Sequence, residues 1–469
     1  MTDTHQSSAD DRPIPDRFEP STVEAFRYVS RFVDLRTGHA ELRYALDGLE
    51  FVEKLSFPIP AAGVTPARAA VTLRLLDHLW LVAGLSYYKL AAPPAVKVEA
   101  GEFHRDDIDL HRLLLRRGLG EFCFVNGLEP ELTPSYEFSE LSLHPAPVTS
   151  LHGDRGPLVP VGGGKDSCVT IEALRHEGMR PTLITVRRFP IIADVIAASG
   201  LEDLHVERTL DPAVRILNQR GALNGHVPAT AIVSFAALMV AATHGFDSVV
   251  MSNERSASEG NVTYRNVDIN HQWSKSDEAE AAIAAAVGRI TTELAWFSLL
   301  RPLSELHISR LFADRCARYF DSFSSCNRSQ VIDGSQRVGR WCGRCPKCQF
   351  VYLALAAVMP RGQLGAVFGE DLFVTSPVAG FRSLLGLADW KPFECVGESL
   401  ECRVALSMLI GAPAWAGHGV LTALAAEVRS AGRWPDGHDV ADVFTPGPAP
   451  AIPTPYAHVL KSLDTGAAH

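Results

Sequence analysis

Leu158-Val-Pro-Val-Gly-Gly-Gly-Lys-Asp-Ser-Cys168 decides how the rest of this chain is read. Leu158 to Val161 suit a buried strand, three glycines follow, and a helical pattern from Asp166 to His176 ends near Gly178. Further on, Thr182 to Val186 reads as a second strand and His205 to Arg208 as a weaker third. A helix from Ala229 to Thr243, closed by Gly245, leads to a strand from Ser248 to Met251. This alternation predicts an α/β fold, a parallel sheet covered by helices on both faces. Ligands in such sheets sit beyond the carboxyl ends of the strands. The Gly162 turn, Arg187-Arg188 and the segment from Ser252 to Asn261 therefore share one rim.

The glycine turn suits phosphate. Without Cβ atoms, Gly162, Gly163 and Gly164 let amide N–H groups converge on an anion, and the helix start adds unpaired amides. Lys165 brings a positive charge and Ser167 a hydroxyl. Asp166 beside phosphate makes sense if it holds Mg2+ or orients a nucleophile. The spacing is not that of a Walker loop. It resembles the S-G-G-x-D-S loop of the PP-loop ATP pyrophosphatases, with Gly162 where serine is common. That resemblance implies ATP bound by its pyrophosphate while a substrate oxygen attacks the α-phosphorus.

A second signal lies in Trp341-Cys-Gly-Arg-Cys-Pro-Lys-Cys348. Cys342, Cys345 and Cys348 repeat a C-x-x-C spacing that turns neighbouring thiolates toward one ion. Cys326 is the expected fourth ligand, with Cys316 in reserve. Four thiolates leave no open position, so structural Zn2+ is expected; an iron–sulfur cluster on three cysteines is the alternative.

The whole chain bounds these readings. At 469 residues it is long enough for about three domains. Lys+Arg 44 against Asp+Glu 54 gives a net charge of −10, which argues against a nucleic-acid binder or a partner of anionic membranes. No uninterrupted run of 18 apolar residues suggests a bilayer span. The polar opening residues lack the apolar core of a secretion signal, so a cytoplasmic protein is expected. Residues 1–20 read as a disordered lead-in, 21–145 as an N-terminal α+β domain of unknown role and 146–157 as a linker. Residues 158–300 read as the nucleotide domain, 301–360 as the cysteine segment and 361–469 as a helical extension.

Weaker constellations surround the rim. Asn224 to Thr230 and Met251 to Asn261 are polar loops, and Glu254 in the second is a candidate substrate or Mg2+ contact. Asn270-His-Gln-Trp-Ser-Lys-Ser276 joins an imidazole, an indole and an ammonium. Arg187-Arg188 suits an anionic substrate tail. Cys168 is expected to pack against the sheet, and Cys395 and Cys402 to be core thiols.

Together with Ser252-Asn-Glu-Arg-Ser256 and Lys391-Pro-Phe-Glu-Cys-Val-Gly397, these segments resemble the MurL-type epimerases, a PP-loop family. The resemblance implies conversion of the terminal L-Glu of UDP-N-acetylmuramoyl-L-alanyl-L-glutamate to D-Glu, with ATP and Mg2+, in peptidoglycan precursor synthesis. AMP and pyrophosphate would be released, and a ligase making the dipeptide precursor would be the pathway neighbour. Proton-transfer candidates are His271, Lys275, Glu254 and Cys168; Lys165 is assigned to the phosphates and to the chemistry. The rival reading is a PP-loop synthase resembling the 7-cyano-7-deazaguanine synthases, or an RNA-modifying enzyme.

Overall fold

The computed structural model describes residues 14–465, apart from 102, 140, 143–148, 152, 332–333, 389–390 and 449–450. Ten strands form one sheet: β1 (Ala25–Asp34), β2 (His39–Leu46), β3 (Leu49–Ser56), β4 (Ala95–Val98), β5 (Ser135–Phe138), β6 (Arg155–Pro160), β7 (Thr182–Val186), β8 (Asp203–Thr209), β9 (Phe246–Met251) and β10 (Ala295–Ser298). Their spatial order is β10-β9-β6-β7-β8-β3-β2-β1-β4-β5. The five strands from β6 to β10 are mutually parallel, and the order reverses between β6 and β9. Such a reversal splays the connections to opposite sides and opens a crevice beyond the strand ends.

Alternation along each strand divides the core. Leu158, Ile184 and Val249 join a core containing helices α1 (Pro66–Tyr88), α4 (Ala229–His244) and α5 (Asp277–Ile290). Val159, Leu183 and Val250 face the opposite core, with α2 (Lys165–His176), α3 (Pro190–Ser199), α6 (Glu305–Arg315), α7 (Pro346–Val358) and α8 (Ser399–Gly411). Helices on both faces explain why these strands are continuously apolar. By length and composition α1 passes for a membrane span, but 78% of its apolar window is buried inside the fold.

The regions read as an N-terminal domain and a nucleotide domain are joined through one sheet. Strand β3 pairs antiparallel with β8, so the two regions share one sheet. The pairing covers what would otherwise be the open edge of the parallel strands. Arg208 on β8 makes a bidentate pair with Glu53 on β3, at 2.6 and 2.9 Å, with side chains 11% and 0% exposed. Of the expected linker, residues 146–148 and 152 lie outside the described residues. Arg155 to Pro157 already belong to β6, the Thr149 N–H donates to the Ile290 carbonyl, and Leu151 is buried. Likewise, 1–13 of the expected lead-in lie outside the described residues, while 14–20 are seated. Phe18 is buried, and Arg220 donates to the carbonyls of Ile14 and Pro15.

Removing the Glu53 carboxylate would strand a buried guanidinium. Glu53→Ala should therefore cost about 3–5 kcal/mol of stability. Adding Arg208→Met should recover most of it. Urea titration of both variants checks this.

Candidate active site

The crevice at the sheet reversal is a cleft of about 360 Å³. Its floor is the glycine turn between β6 and α2, and Ser252 and Asn253 after β9 form one wall. Lys275, Lys347, Ser324, Ser325, Gln330 and Cys395 complete it, drawn from segments far apart in sequence.

The three glycines do different work. No heavy atom lies within 4 Å of where a Gly162 side chain would begin, so its backbone faces open space. Gly163 has φ +81°, the left-handed region that favours glycine, and its carbonyl accepts from the Ser324 N–H at 2.9 Å. Gly164 precedes α2, whose first turn has no side-chain cap; Ser167 Oγ instead donates back to the Gly164 carbonyl. Gly162, Gly164, Asp166 and Ser167 line the cleft. Gly163 and Lys165 do not. Lys165 is fully buried and its ammonium lies between Asp166 and Glu305.

Asp166, Glu254 and Glu305 bring one carboxylate oxygen each to within 4.8 Å of one another. Burial pushes the Glu305 carboxyl up, but the Lys165 and Lys347 ammoniums outweigh it and bring it to about 2. Burial raises the Glu254 carboxyl, whose Oε2 is buried without a hydrogen-bond partner. Two charges here were not legible in sequence. Glu305 looks like an ordinary first-turn acid following the Ser304 cap, and Lys347 is hidden inside the cysteine motif. Arg255 turns away to the carbonyls of Asp442 and Thr445.

Beside this cluster, His271 Nδ1 hydrogen-bonds Glu121, and the His226 ring packs on His271 with centroids 4.4 Å apart. Lys275 Nζ lies 3.6 Å from Cys395 Sγ, and the His271 imidazole acts electrostatically on the same sulfur. Cys395 is thus not the core thiol expected from sequence. It is half-buried and lines the cleft, brought there by the loop from Lys391 to Gly397. Cys402 and Cys168 are buried in the core; burial pushes the Cys168 thiol far above its ordinary range, which makes it a poor proton acceptor.

Cys326, Cys342, Cys345 and Cys348 converge, their sulfurs all within 4.8 Å of one another, while Cys316 packs elsewhere in the core. Cys342 Sγ and Cys348 Sγ are 3.7 Å apart, close to the edge of about 3.8 Å that Zn–S bonds of about 2.3 Å give a tetrahedron. The N–H groups of Cys345 and Cys348 donate to Cys342 Sγ and Cys345 Sγ. Gly343, at φ +67°, makes the turn between the first two cysteines. This knuckle adjoins the glycine turn: Ser324 and Gln330 both bond its carbonyls, the latter to Gly162 at 2.8 Å.

A broader groove of about 1060 Å³ opens beyond the ends of β7 and β8 and meets the cleft at Phe189. Arg187, Arg188, Arg215 and Lys89 line it. Arg187 takes φ +66°, uncommon for a side-chain-bearing residue, and Arg188 pairs with Asp203.

A doubly wound sheet with an anion-ready turn, buried carboxylates and a cysteine knuckle defines an α/β protein with a ligand cleft at its switch point. Residues 17–299 match the MurL N-terminal domain and residues 322–438 the MurL C-terminal domain, so the chain belongs to the MurL family. It is 43% identical over 446 residues to a Micromonospora UDP-N-acetyl-alpha-D-muramoyl-L-alanyl-L-glutamate epimerase, covering 93% of this chain and 98% of that protein. Proteins of the same name from Salinispora tropica and Xanthomonas oryzae pv. oryzae are 42% and 40% identical. Those matches cover 94% and 85% of this chain, and 96% and 88% of the relatives.

Proposed function

We propose that this chain converts the terminal L-Glu of UDP-MurNAc-L-Ala-L-Glu to D-Glu in an ATP- and Mg2+-dependent reaction. The observation that carries the reading is the near full-length similarity to three epimerases of that name. The cleft geometry supports the chemistry. On this reading the glycine turn is a PP-loop, with Gly162, Gly164 and Ser167 facing the ATP phosphates. Gly163 shapes the turn, and Lys165 holds Asp166 and Glu305 in place.

Carboxylates from Asp166, Glu254 and Glu305 suit a hard divalent cation, and the partnerless Glu254 Oε2 is the atom such an ion would satisfy. When bound, Mg2+ would neutralise phosphate charge. Cys326, Cys342, Cys345 and Cys348 fit structural Zn2+, which would fix the knuckle against the turn.

Activation is needed because an ionised α-carboxylate resists loss of the Cα proton, which would concentrate two negative charges. Attack of the carboxylate oxygen on the α-phosphorus makes an acyl-adenylate and releases pyrophosphate. The acyl group can then share a carbanion's charge as an enolate. Water finally displaces AMP. Lys275, which lines the cleft, lies where it can steady charge on the glutamyl group. The arginine-lined groove suits the uridine diphosphate end, and the reaction would follow the cytoplasmic ligase that attaches L-Glu.

Incubation with UDP-MurNAc-L-Ala-L-Glu, ATP and Mg2+, followed by chiral analysis of liberated glutamate, tests the proposal. D-Glu with matching AMP supports it; L-Glu alone would refute it. Arg187→Ala should raise KM for this substrate about tenfold, while KM for ATP stays unchanged, the loss expected for a charged hydrogen bond. Steady-state kinetics in both substrates checks this.

A further inference from the structure

The epimerase reading leaves the proton-removing group unnamed, and the loop that carries Cys395 into the cleft lining supplies one. We propose that Cys395 is the catalytic base, a thiolate held by the Lys275 ammonium and oriented by the His271–Glu121 pair, that takes the Cα proton of the activated glutamate. The inference rests on the epimerase reading of the same cleft.

Three observations converge. Cys395 lines the cleft together with Asp166 and Ser167, so a glutamyl group activated at the turn lies within the same enclosure. Lys275 Nζ, 3.6 Å from Cys395 Sγ, places a positive charge against the sulfur. Glu121 hydrogen-bonds His271 Nδ1 and so anchors the imidazole whose charge acts on the Cys395 sulfur. A thiolate flanked by an ammonium and an imidazole anchored by a carboxylate is a built arrangement, unlike an isolated core thiol.

The charge states of Lys275 and His271 disfavour them as the base, and Glu254 has another place. Burial lowers the Lys275 ammonium's pKa, but Cys395 and the nearby carboxylates outweigh it and lift it above its ordinary value, so Lys275 stays protonated. Burial also opposes protonation of His271, but its interactions with Cys395 and Glu121 lift it to about 9, leaving no free base at neutral pH. Glu254 belongs to the carboxylate cluster. Burial raises the Cys395 thiol, yet Lys275 and His271, with Lys347 behind them, bring it to about 7, a value matched to proton transfer near neutrality.

The step balances without an oxidant or a covalent adduct. Sulfur takes hydrogen from Cα as a proton, and the C–H electron pair moves into the acyl group as an enolate. The carbon takes one proton from water on its other face. The thiol returns its proton to solvent, restoring the thiolate. Cys395 is the catalytic residue; His271 and Glu121 are positioning residues.

The test uses the full chain with UDP-MurNAc-L-Ala-L-Glu and ATP in deuterated water. Cys395→Ser should keep substrate-dependent pyrophosphate release and lose at least 100-fold in deuterium entry at the glutamate Cα. Exchange persisting at the wild-type rate would overturn the proposal, as would a substrate-mass adduct on Cys395. Absence of substrate-dependent pyrophosphate in the wild type would instead defeat the epimerase reading. Cys395→Ala provides a second variant; loss of pyrophosphate release in both, with unchanged melting, would also overturn the proposal. Should neither variant fold, iodoacetamide on the wild type decides. Expected is first alkylation at Cys395, with loss of exchange ahead of pyrophosphate release; alkylation there without effect on exchange overturns the assignment. For the positioning pair, Glu121→Gln should shift the pH midpoint of Cys395 alkylation upward. An unmoved midpoint removes Glu121 from the arrangement.

Discussion

Asp166→Asn is expected to lower substrate-dependent AMP release by about a hundred- to a thousandfold, the loss typical when a group stabilising transition-state charge is removed. Asp166 is the cleft-facing member of the carboxylate group and stands in the first turn of α2. Its amide replacement keeps the shape but cannot neutralise a divalent ion. Folding should survive, because Lys165 retains Glu305 as a buried partner. Glu305→Gln is the instructive contrast: the carboxylate shared by Lys165 and Lys347 disappears, so stability and turnover should fall together. Pyrophosphate assays run beside thermal melts separate the two outcomes.

The second large effect concerns the cysteine knuckle. On the structural-zinc reading, Cys348→Ser should abolish zinc binding, with loss of metal-linked folding free energy on the order of 10 kcal/mol. Elemental analysis should find one zinc per wild-type chain and none in the variant; iron with sulfide would refute the assignment. Activity should fall even where the sheet remains folded. Ser324 and Gln330 tie the knuckle to the carbonyls of Gly163 and Gly162, so a loosened knuckle frees the turn. Calorimetry with and without a chelator would show whether the second core unfolds separately.

What local pattern specifies was legible. The strands β6, β7, β8 and β9, the helix after the glycines and the C-x-x-C repeat are short-range signals; the strands and helix appear within a few residues of where spacing places them, while Cys326 reaches the repeat only through the fold. β10 went unseen because Ala295 to Ser298 is too short for alternation to distinguish from a buried helical turn. The pairing of β3 with β8 is a long-range contact, reinforced by the Arg208–Glu53 ion pair, to which no window of sequence points. Cys395, Glu305 and Lys347 are missed for a related reason. Each is ordinary among its chain neighbours and gains its chemistry only from residues brought close by folding. Lys165 shows the converse: its place in the motif suggests phosphate, while burial turns its charge toward carboxylates.

The cleft draws its glycine floor from the first matched region, while Ser324, Lys347 and Cys395 come from the second. Neither region alone would enclose this cleft. A chimera joining the front of one relative to the back of another would therefore create a new seam through the middle of its binding cavity. The two segments should be inherited, exchanged and engineered as one.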